Sequence, residues 1–344
     1  MRRTRLFWFR RTALLAACLA AVVVVMGAWV RLTDAGLGCP DWPGCYGHLH
    51  PAGAARDLAQ ISAQYPARAF ESAKAWHEMI HRYFAGTLGL LIASLAVLAA
   101  WNRKDPGQPL APVFGLFAVV CLQGALGAFT VTLLLKPLIV TSHLIGGLTT
   151  LGLLWWLSRT PERRSVSPAE RRLQTVALIG LAVLTMQVAL GGWTSTNYAS
   201  IACPDFPTCQ GSYWPAMDYH DAFILWRGLG IDYEGGVLAH PARVAIHFTH
   251  RLGAILAGIT LIGLGLLCWL DGGTRRVKTA GLLLIAAVCL QITLGISTVR
   301  WGIPLSIATA HNAGAALLVV SLVTLLRALW PSASQPSASI RQPW

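Results

Sequence analysis

Four histidines lie in stretches of sequence that are otherwise apolar: His81, His143, His250 and His311. An ionisable side chain inside a membrane-length apolar run is energetically costly and by default marks function. No carboxylate or thiolate lies at the same depth to complete the ligand sphere of a small metal ion, so pairs of neutral imidazoles best fit axial ligation of a haem iron. The structural alternative, a histidine hydrogen-bonded to a neighbouring hydroxyl, is a poor account of four such residues.

Basic and small residues follow these histidines. Arg82 and Arg251 each come directly after a histidine, where a guanidinium can pair with haem propionates or extend to lipid phosphates. Glycines on the same helices either clear a face for a flat macrocycle or allow close helix packing. They are Gly86, Gly89, Gly146, Gly147, Gly253, Gly258 and Gly314.

Two cysteine-bracketed loops have nearly the same sequence. "CPDWPGC" runs from Cys39 to Cys45, and "CPDFPTC" runs from Cys203 to Cys209. Five intervening residues, two of them proline, suit a small disulfide-closed loop better than a zinc knuckle, which typically has two to four. The remaining cysteines lie in apolar runs and are expected to be buried thiols; they are Cys18, Cys121, Cys268 and Cys289.

The elements that carry these residues are membrane-length helices. Of the 344 residues, 55% are hydrophobic and only 12% are charged, against about 25% charged in a soluble domain. About 20 apolar residues span the hydrocarbon core of a bilayer. Eight runs meet that length, at 12–30, 77–100, 111–132, 139–158, 173–193, 243–270, 278–299 and 303–328. The sequence therefore predicts an all-α membrane protein with eight transmembrane helices.

The distribution of positive charge predicts the orientation. The net charge is +13, but the basic residues fall between apolar runs, which is a membrane pattern and not a nucleic-acid-binding one. The segments on the side of the termini hold about twice as many Lys and Arg residues as the opposite, longer loops. Both termini are therefore expected in the cytoplasm and both cysteine loops outside, where disulfides persist. Residues 331–344 are Pro- and Ser-rich and are predicted to form a disordered tail.

Four landmarks occur twice in the same order. In each pair the second copy follows the first by 164 to 169 residues. The pairs are the two cysteine loops, "HRYFAGTLG" with "HRLGAILAG", "LQGALGAFTVT" with "LQITLGISTVR", and "SHLIGGLTTLGLL" with "AHNAGAALLVVSL". The chain is thus predicted to be two tandem four-helix bundles related by a pseudo-twofold axis along the membrane normal. A first half (1–160) and a second half (161–330) would each hold one histidine pair.

The repeat differs where a carboxylate could do chemistry. Glu78 stands three residues before His81, on the same helix face, and the matching position before His250 is His247. The ordinary alternative is an acidic residue stabilised by the helix dipole. A carboxylate in one site alone is not needed by two equivalent electron carriers, so the difference favours a catalytic first half.

Several motifs together resemble the haem A synthase family, from about Met26 to Leu326. They are "GLGCPDWPGC", "WHEMIHRYFAGTLG", "LQGALGAFTV", "SHLIGG", "FTHRLGA" and "ATAHNAGA". The resemblance implies an enzyme of the bacterial inner membrane that oxidises the C8 methyl of haem O to a formyl group by successive hydroxylations. The product, haem A, serves aa3-type terminal oxidases.

The same resemblance implies roles for individual residues. Haem b, the cofactor, would be bound by His250 and His311, and substrate haem O by His81 and His143. Glu78 matches a functionally important glutamate, and Cys39 and Cys45 match a redox-active pair, whereas the role of Cys203 and Cys209 (redox or structural) stays open. Haem O synthase, an electron-transfer partner and a second copy of the chain are candidate partners, beside membrane lipid.

Two other functions use the same ligands. A dihaem cytochrome b linked to quinone would hold two equivalent permanent haems, and a haem transporter would offer a path to both membrane faces. No quinone pocket can be isolated in the sequence, and all four histidines lie in the outer half of the predicted bilayer.

Overall fold

The computed structural model describes residues 2–162 and 164–331, and its architecture is eight long helices. They are α1 (Arg2–Leu32), α2 (Ser72–Trp101), α3 (Leu110–Thr132), α4 (Pro137–Ser158), α5 (Pro168–Thr196), α6 (His240–Asp271), α7 (Arg275–Arg300) and α8 (Leu305–Leu329). All eight are long and apolar enough to cross a membrane, which confirms the predicted number. Within the described residues, β-pairing is limited to the isolated bridges Cys45–His48 and Cys209–Ser212. The predicted disordered tail lies, from residue 332 onward, outside them.

The helices extend beyond the predicted apolar runs because their first and last turns are polar. The second run was predicted to start at residue 77, but α2 begins at Ser72. The apolar run predicted to start at residue 173 lies in α5, which begins at Pro168, where Ser167 and Glu170 form a capping box. Such caps supply partners to the free backbone N–H groups of a first turn. Hydropathy alone therefore underestimates helices that project from the hydrocarbon.

Each half is a closed ring of four helices. In the first half α1 packs against α2 and α4, and α3 closes the ring between them; α5 to α8 repeat the same neighbour relations. The two rings meet through α4 and α8, with further contacts of α4 to α5 and of α1 to α8. Each ring has its own hydrophobic core, centred on Leu95 and Leu151 in the first and on Leu264 and Leu322 in the second.

Contacts between the halves join residues that correspond in the repeat. Arg31 donates to the carbonyl of Ser195 at 2.6 Å, and the hydroxyl of Tyr198 donates to Asp34 at 2.8 Å. In both pairs the partners are 164 residues apart, which is also the offset between the cysteine loops. Counterparts meet around a twofold axis, so these contacts are those expected near the predicted pseudo-twofold axis, which itself stays a prediction.

A buried lysine in the turn between α3 and α4 also ties the halves together. Lys136 is 2% exposed, its ammonium lies 4.0 Å from the centre of the Trp226 ring, and it donates to the carbonyl of Gly228. Tyr233, in the same outer segment, donates its backbone N–H to Leu134 at 3.1 Å. The segment 223–238 of the second half is thereby fixed to the first.

We expect Lys136→Ala to release this segment, because the substitution removes both the cation–π contact and the charged hydrogen bond. Together these contribute about 2 kcal/mol, so the unfolding temperature in detergent should fall and protease cleavage within 223–238 should accelerate. Lys74→Ala is the matched control, since Lys74 makes only an exposed ion pair with Glu71, worth less than about 1 kcal/mol. Equal protease resistance of both variants would contradict the expectation.

Candidate functional site

Each of the four membrane histidines packs its ring against a glycine on a neighbouring helix. An added Cβ would lie 3.0 to 3.1 Å from the Cε1 atom of the imidazole at three of these glycines, so a larger residue would crowd the ring there, and 3.5 Å from it at Gly127, which is ordinary contact. The pairs are Gly27 with His81, Gly127 with His143, Gly191 with His250 and Gly295 with His311. Sequence analysis missed these glycines because they lie on other helices, although their spacing of 164 and 168 residues follows the repeat.

Three of the glycines predicted to clear space for a macrocycle instead accommodate glutamine side chains. Gly146 faces Gln123, Gly253 faces Gln187 and Gly314 faces Gln291, each so closely that an added Cβ would overlap the amide. Two others face neighbouring apolar residues, Gly147 towards Val24 and Gly258 towards Ile292. Only Gly86 and Gly89 of the predicted set have no atom within 4 Å of an added Cβ.

His250 has a hydrogen-bond partner at Nδ1 of its ring, which the other three membrane histidines lack. The Nε2 atom of Gln187 lies 3.1 Å from Nδ1 of His250 and also donates to the carbonyl of His250. The Nδ1 atoms of His81, His143 and His311 are buried without a partner in the described chain. The position that corresponds to Gln187 in α1 is Val23, which cannot form this bond.

These imidazoles fit the axial ligands of a haem iron. In the described residues, Nε2 of His81, His143 and His250 takes part in no hydrogen bond, and Gln291 approaches Nε2 of His311 only to 3.5 Å. The same part of the chain contains no group of three or more His, Cys, Asp or Glu residues that could hold a metal ion by itself. Two histidines per half suit an iron whose equatorial ligands come from a macrocycle.

Glu78 lies beneath the first cysteine loop, one turn outward from His81. Its carboxylate is buried, with 4% exposure, and it accepts the backbone N–H of Cys39 at 2.8 Å. Its other oxygen pairs with Arg82. His247, at the corresponding position, is also buried but contacts the carbonyl of Ala199 at 3.1 Å. In the described residues, a carboxylate on the histidine-bearing helix is therefore coupled to the disulfide loop in the first half and not in the second.

Both arginines that follow a histidine contact the cysteine loops. Arg82 donates to the carbonyls of Asp41, Pro43 and Gly44. Arg251 donates to the corresponding backbone of the second half, the carbonyls of Cys203, Asp205 and Thr208. Their observed partners are thus the loops, and pairing with haem propionates stays a prediction. Each guanidinium fixes a disulfide loop to the helix that carries the histidine.

The loops have the same internal structure. Disulfides join Cys39 to Cys45 and Cys203 to Cys209, each with 4.7 Å between the Cα atoms. The expectation that the other cysteines are buried is wrong for three of them: Cys268 is buried, but Cys18, Cys121 and Cys289 are exposed on the helix surfaces, as apolar helices in lipid permit.

An aspartate at the third position of each loop accepts backbone N–H groups from its far end. Asp41 accepts from Tyr46 and Gly47. For the partly exposed Asp205, hydrogen bonds from the Thr208 hydroxyl and from the N–H groups of Gly211 and Gln210 lower the pKa to about 2. A depressed carboxyl pKa stabilises the folded loop above the ordinary value near 3.9, and that stabilisation is lost as pH falls through about 2. The loop therefore keeps its anion throughout mildly acidic conditions.

The eight apolar helices define a multi-pass membrane protein, and each half of it carries two of the four membrane histidines. The model of the COX15-CtaA family, described as cytochrome oxidase assembly protein, matches residues 10–323. The chain belongs to this family.

Curated relatives of the chain carry the name heme A synthase. The protein of Shewanella oneidensis is 42% identical over 97% of this chain and 99% of its own length. Those of Caulobacter vibrioides and Rhizorhabdus wittichii are 29% and 27% identical, over 89% and 90% of this chain and 91% and 90% of theirs. The similarity therefore covers both halves, including both histidine pairs.

We expect Gln187→Leu to weaken haem retention by the His250–His311 pair. An imidazole bound to iron through Nε2 carries its proton on Nδ1 and needs an acceptor there. The Oε1 atom of Gln187 is buried without a partner, and rotating the amide by half a turn would bring it to this proton. Loss of such a partner typically lowers metal affinity about 10- to 100-fold. Haem content after gel filtration and the reduction potential of the retained haem measure the effect.

Gln174→Leu is the matched control for this substitution. Gln174 lies on the same helix, thirteen residues towards the predicted cytoplasmic side, and donates to the carbonyl of Leu329. It should leave haem retention and potential unchanged. Identical behaviour of the two variants would mean that Gln187 only fills space beside Gly253.

Proposed function

We propose that the chain is a haem A synthase, which oxidises the C8 methyl group of haem O to the formyl group of haem A by successive hydroxylations. Family membership and relatives of that name across nearly the whole chain support this. The observation that carries the proposal is the broken symmetry of the two histidine sites. Both halves have the ligands for an iron, but only the first half places a buried carboxylate one turn from them.

We assign the cofactor to the second half and the substrate to the first. His250 and His311 would bind haem b, and Gln187, present only in this half, would hold the His250 ring in place. His81 and His143 would bind haem O, and the lack of a comparable partner for His81 suits a ligand that must exchange. Bound haem b would supply one-electron redox chemistry to the protein.

The residues around Glu78 suit proton transfer at the substrate site. Oxidising a methyl group to a formyl group takes four electrons and releases protons, so an acceptor or a water-orienting group must lie close by. The carboxylate of Glu78 can serve either purpose, and Arg82 holds it in place. The backbone N–H of Cys39, one of the proposed redox-active pair Cys39 and Cys45, donates to the same carboxylate.

The setting of the enzyme follows from the same assignment. The eight apolar helices place it in a membrane, in contact with lipid, and we propose the bacterial inner membrane with both termini in the cytoplasm. Haem O synthase would then supply the substrate, and a separate electron-transfer partner would exchange electrons with the site. Assembly of two or more copies is compatible with this arrangement.

A dihaem cytochrome b is the second candidate, and the near-equivalence of the histidine sites favours it. Extraction and chromatography of the haems in the purified protein separate the two functions. A synthase co-expressed with a source of haem O should contain haem b together with haem O or haem A. Two equivalents of haem b, with neither of the others, would instead establish the electron carrier.

Alanine substitutions in each half test the assignment of the sites. His250→Ala or His311→Ala should lose the haem b spectrum, because one axial ligand is removed from the permanent cofactor. His81→Ala should keep haem b and lose haem O and haem A. Normal haem b content in either second-half variant would reverse or refute the assignment.

Glu78→Gln tests the carboxylate itself. The substitution keeps the shape and much of the hydrogen bonding, but it removes the charge and the capacity to accept a proton. We expect haem b and haem O to stay bound and haem A formation to fall on the order of 10²- to 10⁴-fold, with hydroxylated intermediate accumulating. Chromatography of extracted haems measures all four species.

Glu71→Gln provides the control for Glu78→Gln. Glu71 precedes the same helix, is exposed and pairs with Lys74, so this variant should form haem A at the wild-type rate. Near-normal haem A formation by Glu78→Gln would show that the carboxylate is only a structural charge beneath the loop.

A further inference from the structure

The two halves differ in how closely the second and third helices of each unit approach one another. In the second half, a Cβ added at Gly258 on α6 would lie 3.3 Å from Cδ1 of Ile292 on α7. The corresponding residues of the first half are Gly89 on α2 and Gly124 on α3. An added Cβ at either of these has no atom within 4 Å. We call the line of contact between these two helices the seam. The α6–α7 seam of the second half is therefore filled by Ile292, whereas the α2–α3 seam of the first half is left open at Gly124.

The difference continues towards the predicted cytoplasmic side. A Cβ added at Gly265 would lie 2.8 Å from the carbonyl oxygen of Gly281, so α6 and α7 are in backbone contact there. The first half has Ala96 and Val113 at these positions, and both are buried in its core. The side chains of Ala96 and Val113 thus fill the inner end of the α2–α3 seam and prevent the backbone contact that α6 and α7 make there. The open part lies further out, between this packed core and the level of the histidines.

The open part of the seam lies next to the first histidine site along both of its helices. Gly89 follows His81 by eight residues, about 12 Å along α2 and about 80° round it. On the other wall, Gly124 lies three residues from Gly127, which contacts the His143 ring. A ligand held between His81 and His143 would therefore have an apolar way out to lipid beside it.

We propose that the α2–α3 seam binds the isoprenoid chain of haem O and leads it into the bilayer, so that position 124 determines which haem the first half accepts. This rests on the proposed function, because it takes haem O as the substrate of the His81–His143 site. Haem O differs from haem b by a long isoprenoid chain in place of a vinyl group. Such a chain is stable in hydrocarbon and not in water, and a close-packed bundle has no space for it.

The same comparison explains why the second half needs no opening. Haem b has no long chain, and a permanent cofactor gains from a closed seam, since every gap between α6 and α7 would ease its loss. Ile292 and the Gly265–Gly281 contact close that seam. The first half thus suits a haem that carries an isoprenoid chain and exchanges, and the second half suits a permanent haem that has no such chain.

Gly124→Ile gives the first half the isoleucine that fills the α6–α7 seam of the second half, and so should close the α2–α3 seam. Purified protein holding one haem in the second half is titrated in detergent with haem O and, separately, with haem b, and uptake beyond the first equivalent is measured. Wild-type protein should bind haem O more tightly than haem b there. Added apolar bulk in a fitted pocket typically changes binding about 10- to 200-fold. We expect Gly124→Ile to lose haem O affinity by such a factor and to bind haem b as before.

Two further variants complete the test. Gly115→Ile adds the same side chain to α3, where an added Cβ also meets open space, but nine residues away and hence on the opposite face of the helix; it should bind both haems like the wild type. Ile292→Gly opens the second seam and should allow that half to accept haem O. This second result keeps the inference testable if Gly124→Ile does not retain its first haem.

The outcomes separate this inference from the proposed function. A wild-type protein that binds no haem O and forms no haem A would refute both. Normal haem O binding and haem A formation by the wild type, with unchanged haem O affinity in Gly124→Ile, would overturn the seam alone. An equal loss of haem O and haem b affinity in Gly124→Ile would also overturn it, because it would report general damage to the site.

Discussion

The structure depends on holding four imidazole rings in place inside a membrane. A polar ring in hydrocarbon is stable only when it has a fixed partner, and a ligand to a metal must also keep one nitrogen free. The chain packs each ring against a glycine of the adjacent helix, where no side chain intervenes, and of the four rings His250 also has a hydrogen-bond partner at Nδ1. The ring closure of each four-helix unit follows, because the helix that supplies the glycine must lie beside the helix that carries the histidine.

The sequence repeat provides two four-helix units of this kind, which differ at a few positions close to the histidines. Glu78 is matched by His247, Val23 by Gln187 and Gly124 by Ile292. The first change adds a proton-accepting group under one disulfide loop, the second adds a partner for one imidazole, and the third closes one seam. None of them alters the helices or their order. The two halves therefore share one architecture and differ at these few positions.

Much of this fold could be predicted from the sequence, because apolar runs of membrane length and a repeated order of landmarks are strong signals. The ends of the helices could not, since the polar turns of α2 and α5 project beyond the apolar runs. Histidine positions were evident, but their glycine and glutamine neighbours lie on other helices and required knowledge of the packing. The contacts of Arg82 and Arg251 with loop carbonyls were missed for a related reason: charge patterns do not reveal backbone partners.

The pairs Arg31–Ser195 and Asp34–Tyr198 have a consequence for how the molecule could be divided. Each residue faces its own counterpart in the repeat. Two copies of the first half, placed across the same surface, would bring Asp34 towards Asp34 and Arg31 towards Arg31, and like charges repel. The covalent link between the halves thus does more than keep them together. It makes the partnership heterotypic, so that the first half always stands beside the second and never beside a duplicate of itself.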